Sequence, residues 1–392
     1  MQTQQPKIAL ALPAEKPWGI TRFFYGVNDY ARSHNWRLTA CPVNHESGDD
    51  FPLDWSRLKS WQIDGIIIQT NDLQQLELLR QRRIPVVNIG EDLDFDGKIP
   101  RLALNNQQIG RLAAEHLMGL GLKNLAFHGV RGRCYSDERL QGFIQAAKAA
   151  KLKVNSFRLP HMTRDALWNE RYEPIKTWLK TLPLPVGLFA VHDYRALIVL
   201  SACREIGLRV PADVAVIGVD NDLMVCEFST PKLTSVCINA YQMGYESARL
   251  LDQLMQGKPP PPEPVRIDPS EVVARASTDV IHTDDSAVKR AIQFMQQNYS
   301  GSFKMDTVAE AARVSRRLLE MHFRTERKTS PAMFLINLRL QKAKAMLADH
   351  DCEPIEEIAR ACGFGTGKNL RAAFRRILNA SPNQFRPDSI TR

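Results

Sequence analysis

Two rhythms divide the chain. Over residues 1–276, short apolar and β-branched runs at 7–12, 65–69, 85–89, 125–128, 187–191 and 214–219 alternate with amphipathic stretches such as 106–119 and 136–150. Continuous apolar strands separated by helices predict parallel sheets covered on both faces. In such sheets ligands bind beyond the carboxyl ends of the strands. The four prolines at 259–262 cannot be helical and carry the chain to a final strand near 265–275. A polar linker at 277–286 follows, and 287–392 reads as helix throughout.

The helical part contains a repeat. Val308-Ala309-Glu310-Ala311-Ala312-Arg313 matches Ile355-Glu356-Glu357-Ile358-Ala359-Arg360 at an offset of 47, and Leu319 and Phe323 match Leu370 and Phe374 at an offset of 51. Each copy is a short helix, a turn, and a second helix whose start a hydroxyl can cap, Ser315 or Thr366. On a helical wheel of about 100° per residue the second helices have the same two faces. In the first, Leu318, Leu319, His322 and Phe323 oppose Arg316, Arg317, Glu320, Met321 and Arg324. In the second, Leu370, Ala373, Phe374 and Ile377 oppose Gly367, Lys368, Arg371, Ala372 and Arg375. One face packs and the other is mostly basic, which a helix lying in the major groove requires. Between the copies Ile336, Leu340, Ala343 and Leu347 form an apolar stripe that predicts a rigid strut. Such a strut can present two recognition helices to successive major-groove turns, ~34 Å apart.

Charge agrees. Residues 286–392 hold 19 Lys+Arg against 10 Asp+Glu, while residues 1–285 hold 33 of each. All of the net +9 therefore sits in the helical part, as expected of a polyanion-binding module joined to a neutral one.

Residues 304–386 resemble the AraC-type DNA-binding domain. The resemblance is carried by Val308-Ala309, Ala312, Val314-Ser315, Leu319, Phe323, Arg339, Ala343, Ile358-Ala359, Gly363-Phe364, Phe374-Arg375, Ser381-Pro382 and Phe385-Arg386. It implies base reading by Arg317, Glu320 and Met321 in the first helix and by Gly367, Lys368, Arg371 and Ala372 in the second. Arg316, Arg324 and Arg375 extend the DNA-facing surfaces. Lys328 and Asn379 stand where the family commonly ends its helices on glycine; asparagine tolerates the left-handed conformation, whereas lysine costs about 1 kcal/mol there. The run Gly363-Phe364-Gly365-Thr366-Gly367-Lys368 imitates a phosphate-binding loop, but Cys362 and Asn369 occupy two of its obligatory places.

Residues 7–276 resemble the periplasmic-binding-protein-like core of LacI-type regulators, without their N-terminal DNA-binding headpiece. The carrying elements are Asn105-Asn106 with Gly110, His116-Leu117 before Gly121, Arg139 ahead of Gly142-Phe143, Val216-Ile217-Gly218-Val219-Asp220-Asn221, Leu233-Thr234-Ser235-Val236, Gly244 and Arg275-Ala276-Ser277-Thr278. The resemblance implies a two-lobe sensor of a small sugar. It gives Asp220, Asp193 and Arg139 as ligand contacts, with His192 a substitution beside Asp193 and Trp18 an aromatic wall for the ring. Carboxylates and guanidinium groups suit this work because each can bond two adjacent hydroxyls. For both aspartates, capping of the following helix is the competing role. Sensor first and reader last resembles the layout of a sugar-operon regulator of the AraC type, and that resemblance implies xylose as the first sugar to expect.

The expectation is an α/β sensor with parallel sheets followed by an all-α domain with two helix-turn-helix units. Together they form a sugar-responsive activator of transcription with double-stranded DNA, a sugar effector and RNA polymerase as partners. Paired sites favour a homodimer. No G-x-G-x-x-G, nucleophile elbow or H-E-x-x-H is present, so no enzyme, cofactor or metal is expected. The seven cysteines are odd in number and lack a C-x-x-C pair, which points to reduced thiols. No run approaches the ~20 apolar residues of a membrane span and no secretory signal opens the chain, so a cytoplasmic protein without membrane contact is expected. A sugar-processing enzyme tethered to DNA and a ligand-independent DNA-binding protein are the alternatives.

Overall fold

The computed structural model describes residues 5–12, 19–41, 58, 60–90, 99–160, 168–280, 282–283, 285–327, 329–347 and 353–386. Two compact units emerge: Met1–Met118 with Leu122–Val280, and Gly119–Gly121 with Ile281–Arg392.

The first unit begins β1 (Lys7–Ala11), α1 (Gly19–Ser33), β2 (Arg37–Ala40), β3 (Gly65–Ile68), α2 (Leu73–Gln81), β4 (Val86–Asn88), β5 (Leu102–Leu104) and α3 (Asn106–Gly119). It continues through β6 (Asn124–Arg131), α4 (Cys134–Ala149), β7 (Val154–Pro160), α5 (Trp168–Leu179), β8 (Val186–Ala190), α6 (Asp193–Glu205) and β9 (Val214–Val219). It ends with α7 (Leu223–Phe228), β10 (Thr234–Cys237), α8 (Ala240–Met255), β11 (Val265–Ile267) and β12 (Glu271–Val273).

One sheet has the order β2-β1-β3-β4 and is wholly parallel. The other has the order β12-β10-β9-β8-β6-β7, parallel except where β12 meets β10. Strands β3, β8 and β9 are buried along their whole length, which explains why they read as unbroken apolar runs rather than alternating ones. A separate pair, β5 with β11, lies where the chain crosses between the sheets. There Asn105 N–H donates to the Ile267 carbonyl at 2.8 Å and Ser270 N–H to that of Cys237 at 2.9 Å.

Two expectations change. The single strand foreseen at 265–275 is two strands, β11 and β12, in different sheets. The start of the polar linker belongs to the first unit: a 3-10 turn, Ala276–Thr278, buries Ser277 and Thr278, whose hydroxyls are bonded rather than solvated. Ser277 donates to the Val216 carbonyl at 2.6 Å and accepts from Thr234 N–H at 2.8 Å, while Thr278 meets Thr234 at 2.8 Å and His116 at 2.9 Å. Polarity marks a linker only when the polar groups lack internal partners.

The second unit holds α9 (Ser286–Asn298), α10 (Met305–Ala312), α11 (Arg316–Arg327), α12 (Pro331–Leu347), α13 (Ile355–Ala361) and α14 (Gly367–Leu378). It has two apolar cores. Val288, Ile292, Met295, Val308, Leu319 and Phe323 build one, and Ile358, Ala359, Leu370 and Phe374 the other. Helix α12 serves both, with Leu335 and Leu338 in the first and Leu340, Ala343 and Leu347 in the second. The strut therefore carries two stripes, and the one at 336–347 is the half that holds the second copy. Arg339 fastens α12 further, donating to the Tyr299 and Gly301 carbonyls, both at 2.7 Å.

Candidate ligand pocket and DNA interface

Four of the five sensor residues singled out by sequence meet at the carboxyl ends of β8 and β9. His192 follows β8 and caps α6, its Nδ1 accepting from Arg195 N–H at 3.2 Å. Arg139, on α4, reaches the same strand end, donating from Nη1 to the Val191 carbonyl at 2.5 Å. Trp18 lies outside the described residues.

Asp193 is fully buried and faces its neighbours in the protein. It accepts from the Ser235 hydroxyl at 2.7 Å, from Asp222 N–H at 2.8 Å and from the Cys226 thiol at 3.4 Å. Burial first, and then the Asp220 carboxylate, push its pKa well above the ordinary range. Its role is thus to hold the turn after β9. That turn, Asp220-Asn221, has φ of 105° and 52°, a left-handed backbone that non-glycine residues adopt only when surroundings enforce it. Ser235 contributes again, its hydroxyl accepting from Asn221 N–H at 3.0 Å. The helix-capping role considered for the aspartates falls to Asp222, which accepts from Met224 and Val225 N–H at the start of α7.

The turn is also bonded to the end of the unit. Arg275, just before the Ala276–Thr278 turn, donates to Asn221 Oδ1 at 2.9 Å, to Glu227 of α7 at 2.6 Å and to the Leu233 carbonyl at 3.0 Å. Burial opposes ionisation of Glu227, but the bonds from Lys232 and Arg275 outweigh it and hold its pKa below the usual value. On the other sheet, buried Asn88 ties the ends of β3 and β4. Its side chain bonds both the N–H and the carbonyl of Thr70, and accepts from Gly90 N–H at 2.9 Å.

In the second unit each copy forms as two helices about a turn. Ser315 accepts from Leu318 N–H at 3.3 Å and Thr366 from Asn369 N–H at 3.3 Å, so both hydroxyl caps are made. Leu319, Phe323, Leu370 and Phe374 are buried beneath. Leu318, expected on the packed face, is exposed at its edge, and His322 pairs with Asp285, which also caps α9. On the outer faces Arg317, Met321, Arg324, Lys368, Arg371 and Arg375 are exposed. Arg316 is partly neutralised by Glu320 at 3.4 Å and Asp306 at 3.6 Å. Asn379 ends α14 at φ 49°, the left-handed geometry foreseen for it, whereas Lys328 lies outside the described residues.

Residues 114–278 match the periplasmic binding protein-like domain, and residues 308–388 match a helix-turn-helix domain. The chain is 27% identical to the xylose operon regulatory protein of Haemophilus influenzae over 392 residues, covering 98% of this chain and 99% of that one. Its identity to the Escherichia coli K12 protein of the same name is also 27%, covering 98% of each. The solved structure of the xylose-binding transcription activator XylR is 26% identical and superposes with a TM-score of 0.62 over 98% of both chains. The chain is a sugar-responsive transcription regulator that carries an AraC-type helix-turn-helix domain. Its relatives are regulators, not enzymes, and its first unit has the fold of LacI-type sensors.

One residue carried over to base reading in this regulator is displaced by the structure. Gly367 is buried, its N–H donates to Glu356 at 2.7 Å, and a Cβ there would lie 2.6 Å from that carboxylate. Glycine is present because the two helices of the second copy approach closely, and not as a blank on the reading face. No role was read for Ser235, Arg275 or Asn88, because each acts through a partner distant in sequence; Ser235 and Arg275 stood within quoted runs, Leu233-Thr234-Ser235-Val236 and Arg275-Ala276-Ser277-Thr278, and Asn88 in a strand.

Proposed function

We propose that this regulator senses a pentose, with xylose the first candidate, and activates genes for its use. The observation that carries this is similarity along the full chain to proteins named for the xylose operon, with sensor and reader in the same order. Residues 1–280, the Ala276–Thr278 turn included, are the sensor domain, 281–286 the connection and 287–392 the reader. Asp220, Arg139 and His192 contact the sugar, Asp193 fixes the Asp220 turn from behind, and Trp18 is the aromatic cover. The regulator works in the cytoplasm and contacts RNA polymerase when it activates.

Ligand at Asp220 acts on the Asp220-Asn221 turn, and Arg275 relays that state to the segment leaving the sensor. Support comes from the three side-chain bonds of Arg275 to Asn221, α7 and Leu233, one residue before the exit turn. A ligand that binds two states equally shifts nothing between them, so a sugar that switches this regulator must meet a different turn in each state.

The working form is a homodimer. Met224 and Phe228, one turn apart on α7, are 50% and 79% exposed, and Tyr194 beside them is 50% exposed. Apolar groups of this size cluster on a surface where a second chain covers them.

Three outcomes test these readings. In calorimetry, xylose is expected to bind the wild type and Asp220→Ala to lose at least about tenfold in affinity, since a charged hydrogen-bond partner disappears. A sugar panel that neither binds nor raises the melting temperature would favour a ligand-independent DNA-binding protein. At fixed salt, Arg317→Ala and Arg371→Ala are each expected to weaken operator binding by about tenfold or more, as loss of a base contact does; undiminished affinity would mean the reading faces are wrongly assigned. Phe228→Glu is expected to sediment as a monomer, and an unchanged dimer would place the interface elsewhere.

A further inference from the structure

A buried asparagine opens α3, and the pocket reading leaves it unexplained. Asparagine at a helix start ordinarily caps it, its side-chain oxygen accepting a free backbone N–H. Here the preceding residue does that: Asn105 Oδ1 accepts from Gln108 N–H at 3.2 Å, and its amide nitrogen donates to Asp268 at 2.7 Å. Asn106, 1% exposed, turns its amide sideways instead. Its Oδ1 accepts from Arg139 Nε at 2.9 Å, and its Nδ2 donates to Glu138 Oε2 at 3.1 Å. Glu138 in turn accepts a two-pronged pair from Arg266 of β11 at 3.0 and 3.2 Å.

Close approach of α3 and α4 makes this possible. A Cβ at Gly110 would stand 2.0 Å from the Arg139 carbonyl, and one at Gly142 would stand 1.9 Å from the Gln107 carbonyl. Two glycines therefore bring Asn106 within a hydrogen bond of Arg139.

The chemistry of the pair is specific. Arg139 is 3% exposed, and its two hydrogen bonds to described residues go to neutral oxygens, Asn106 Oδ1 and the Val191 carbonyl. A guanidinium has five N–H donors, so the remaining ones stay available at the carboxyl end of β8. An aspartate in place of Asn106 would hold the same Nε–H but would pair the charge. Asparagine holds the group and leaves its charge for incoming hydroxyls.

We infer that Asn106 is a positioning residue for sugar recognition. It sets the Arg139 guanidinium, and through Glu138 it ties that setting to Arg266 on the strand from which the chain crosses into the second sheet. The inference rests on the reading of Arg139 as a sugar contact.

Calorimetry with D-xylose on the full chain tests it, using wild type, Asn106→Ala, Arg139→Ala, the double variant and Asn106→Asp. Asn106→Ala is expected to weaken binding by about tenfold and Arg139→Ala by about a hundredfold, the range of bonds to a charged group. The double variant should bind no more weakly than Arg139→Ala, because Asn106 acts only through that guanidinium. Asn106→Asp, which pairs the Arg139 charge but also sets a second carboxylate against Glu138, should lose affinity; adding Glu138→Gln should restore the melting temperature of the sugar-free chain but not the affinity, which a purely structural role would not produce. Asn106→Ala binding within twofold of wild type, losses that add in full in the double variant, or Asn106→Asp binding as wild type would each overturn the inference. Unchanged binding by Arg139→Ala would instead remove the pocket reading beneath it.

Discussion

A single guanidinium ties the turn after β9 to the segment that ends the first unit. Arg275 is 10% exposed at its side chain and gives its donors to Asn221, Glu227 and Leu233, so it cannot move without altering the turn after β9 or the start of the exit segment. The Asp220-Asn221 turn is itself held in left-handed conformation by Ser235 and by the buried Asp193. Taking charged and polar groups out of water is costly unless every one is matched, and here they match each other across four elements. A network of that kind has few alternative arrangements, which suits a two-state element better than a compliant one.

The reader is built on the same economy of parts. Helix α12 feeds both apolar cores, so each helix-turn-helix copy is fixed against one rod rather than against its own surroundings. The copies differ in how their basic residues are paired. The first presents Arg317 and Arg324 unpaired among the described residues, with Arg316 partly neutralised by Glu320 and Asp306. The second presents Lys368, Arg371 and Arg375 around an exposed Ala372. Phosphate contacts position a reader and base contacts specify, so the two copies are suited to unequal shares of each.

Much of this was legible in the order of residues, and the exceptions have a common cause. The strands at 65–68 and 214–219 announced themselves because parallel strands buried on both faces must be apolar throughout. The repeat at an offset of 47 disclosed the reader, since each copy has to bury the same face. Asp193 and Asp220 were singled out as ligand contacts without their directions being legible: both follow strands, and only the positions of Ser235, Asp222 and Cys226 turn Asp193 inward. Gly367 fell on the basic face of a helical wheel, yet Glu356 from the preceding helix covers it. Ser277 and Thr278 looked like linker because partners at Val216, Thr234 and His116 are remote along the chain. Periodicity reports what a segment does with its own neighbours, and each of these residues is defined by someone else's.

The most direct measurement is operator affinity at fixed salt with and without xylose, for the wild type and for Arg275→Gln, which loses the three-way fork. The account predicts that xylose shifts operator affinity in the wild type, whereas Arg275→Gln still binds sugar and DNA separately but shows little shift. A shift of equal size in both proteins would contradict it.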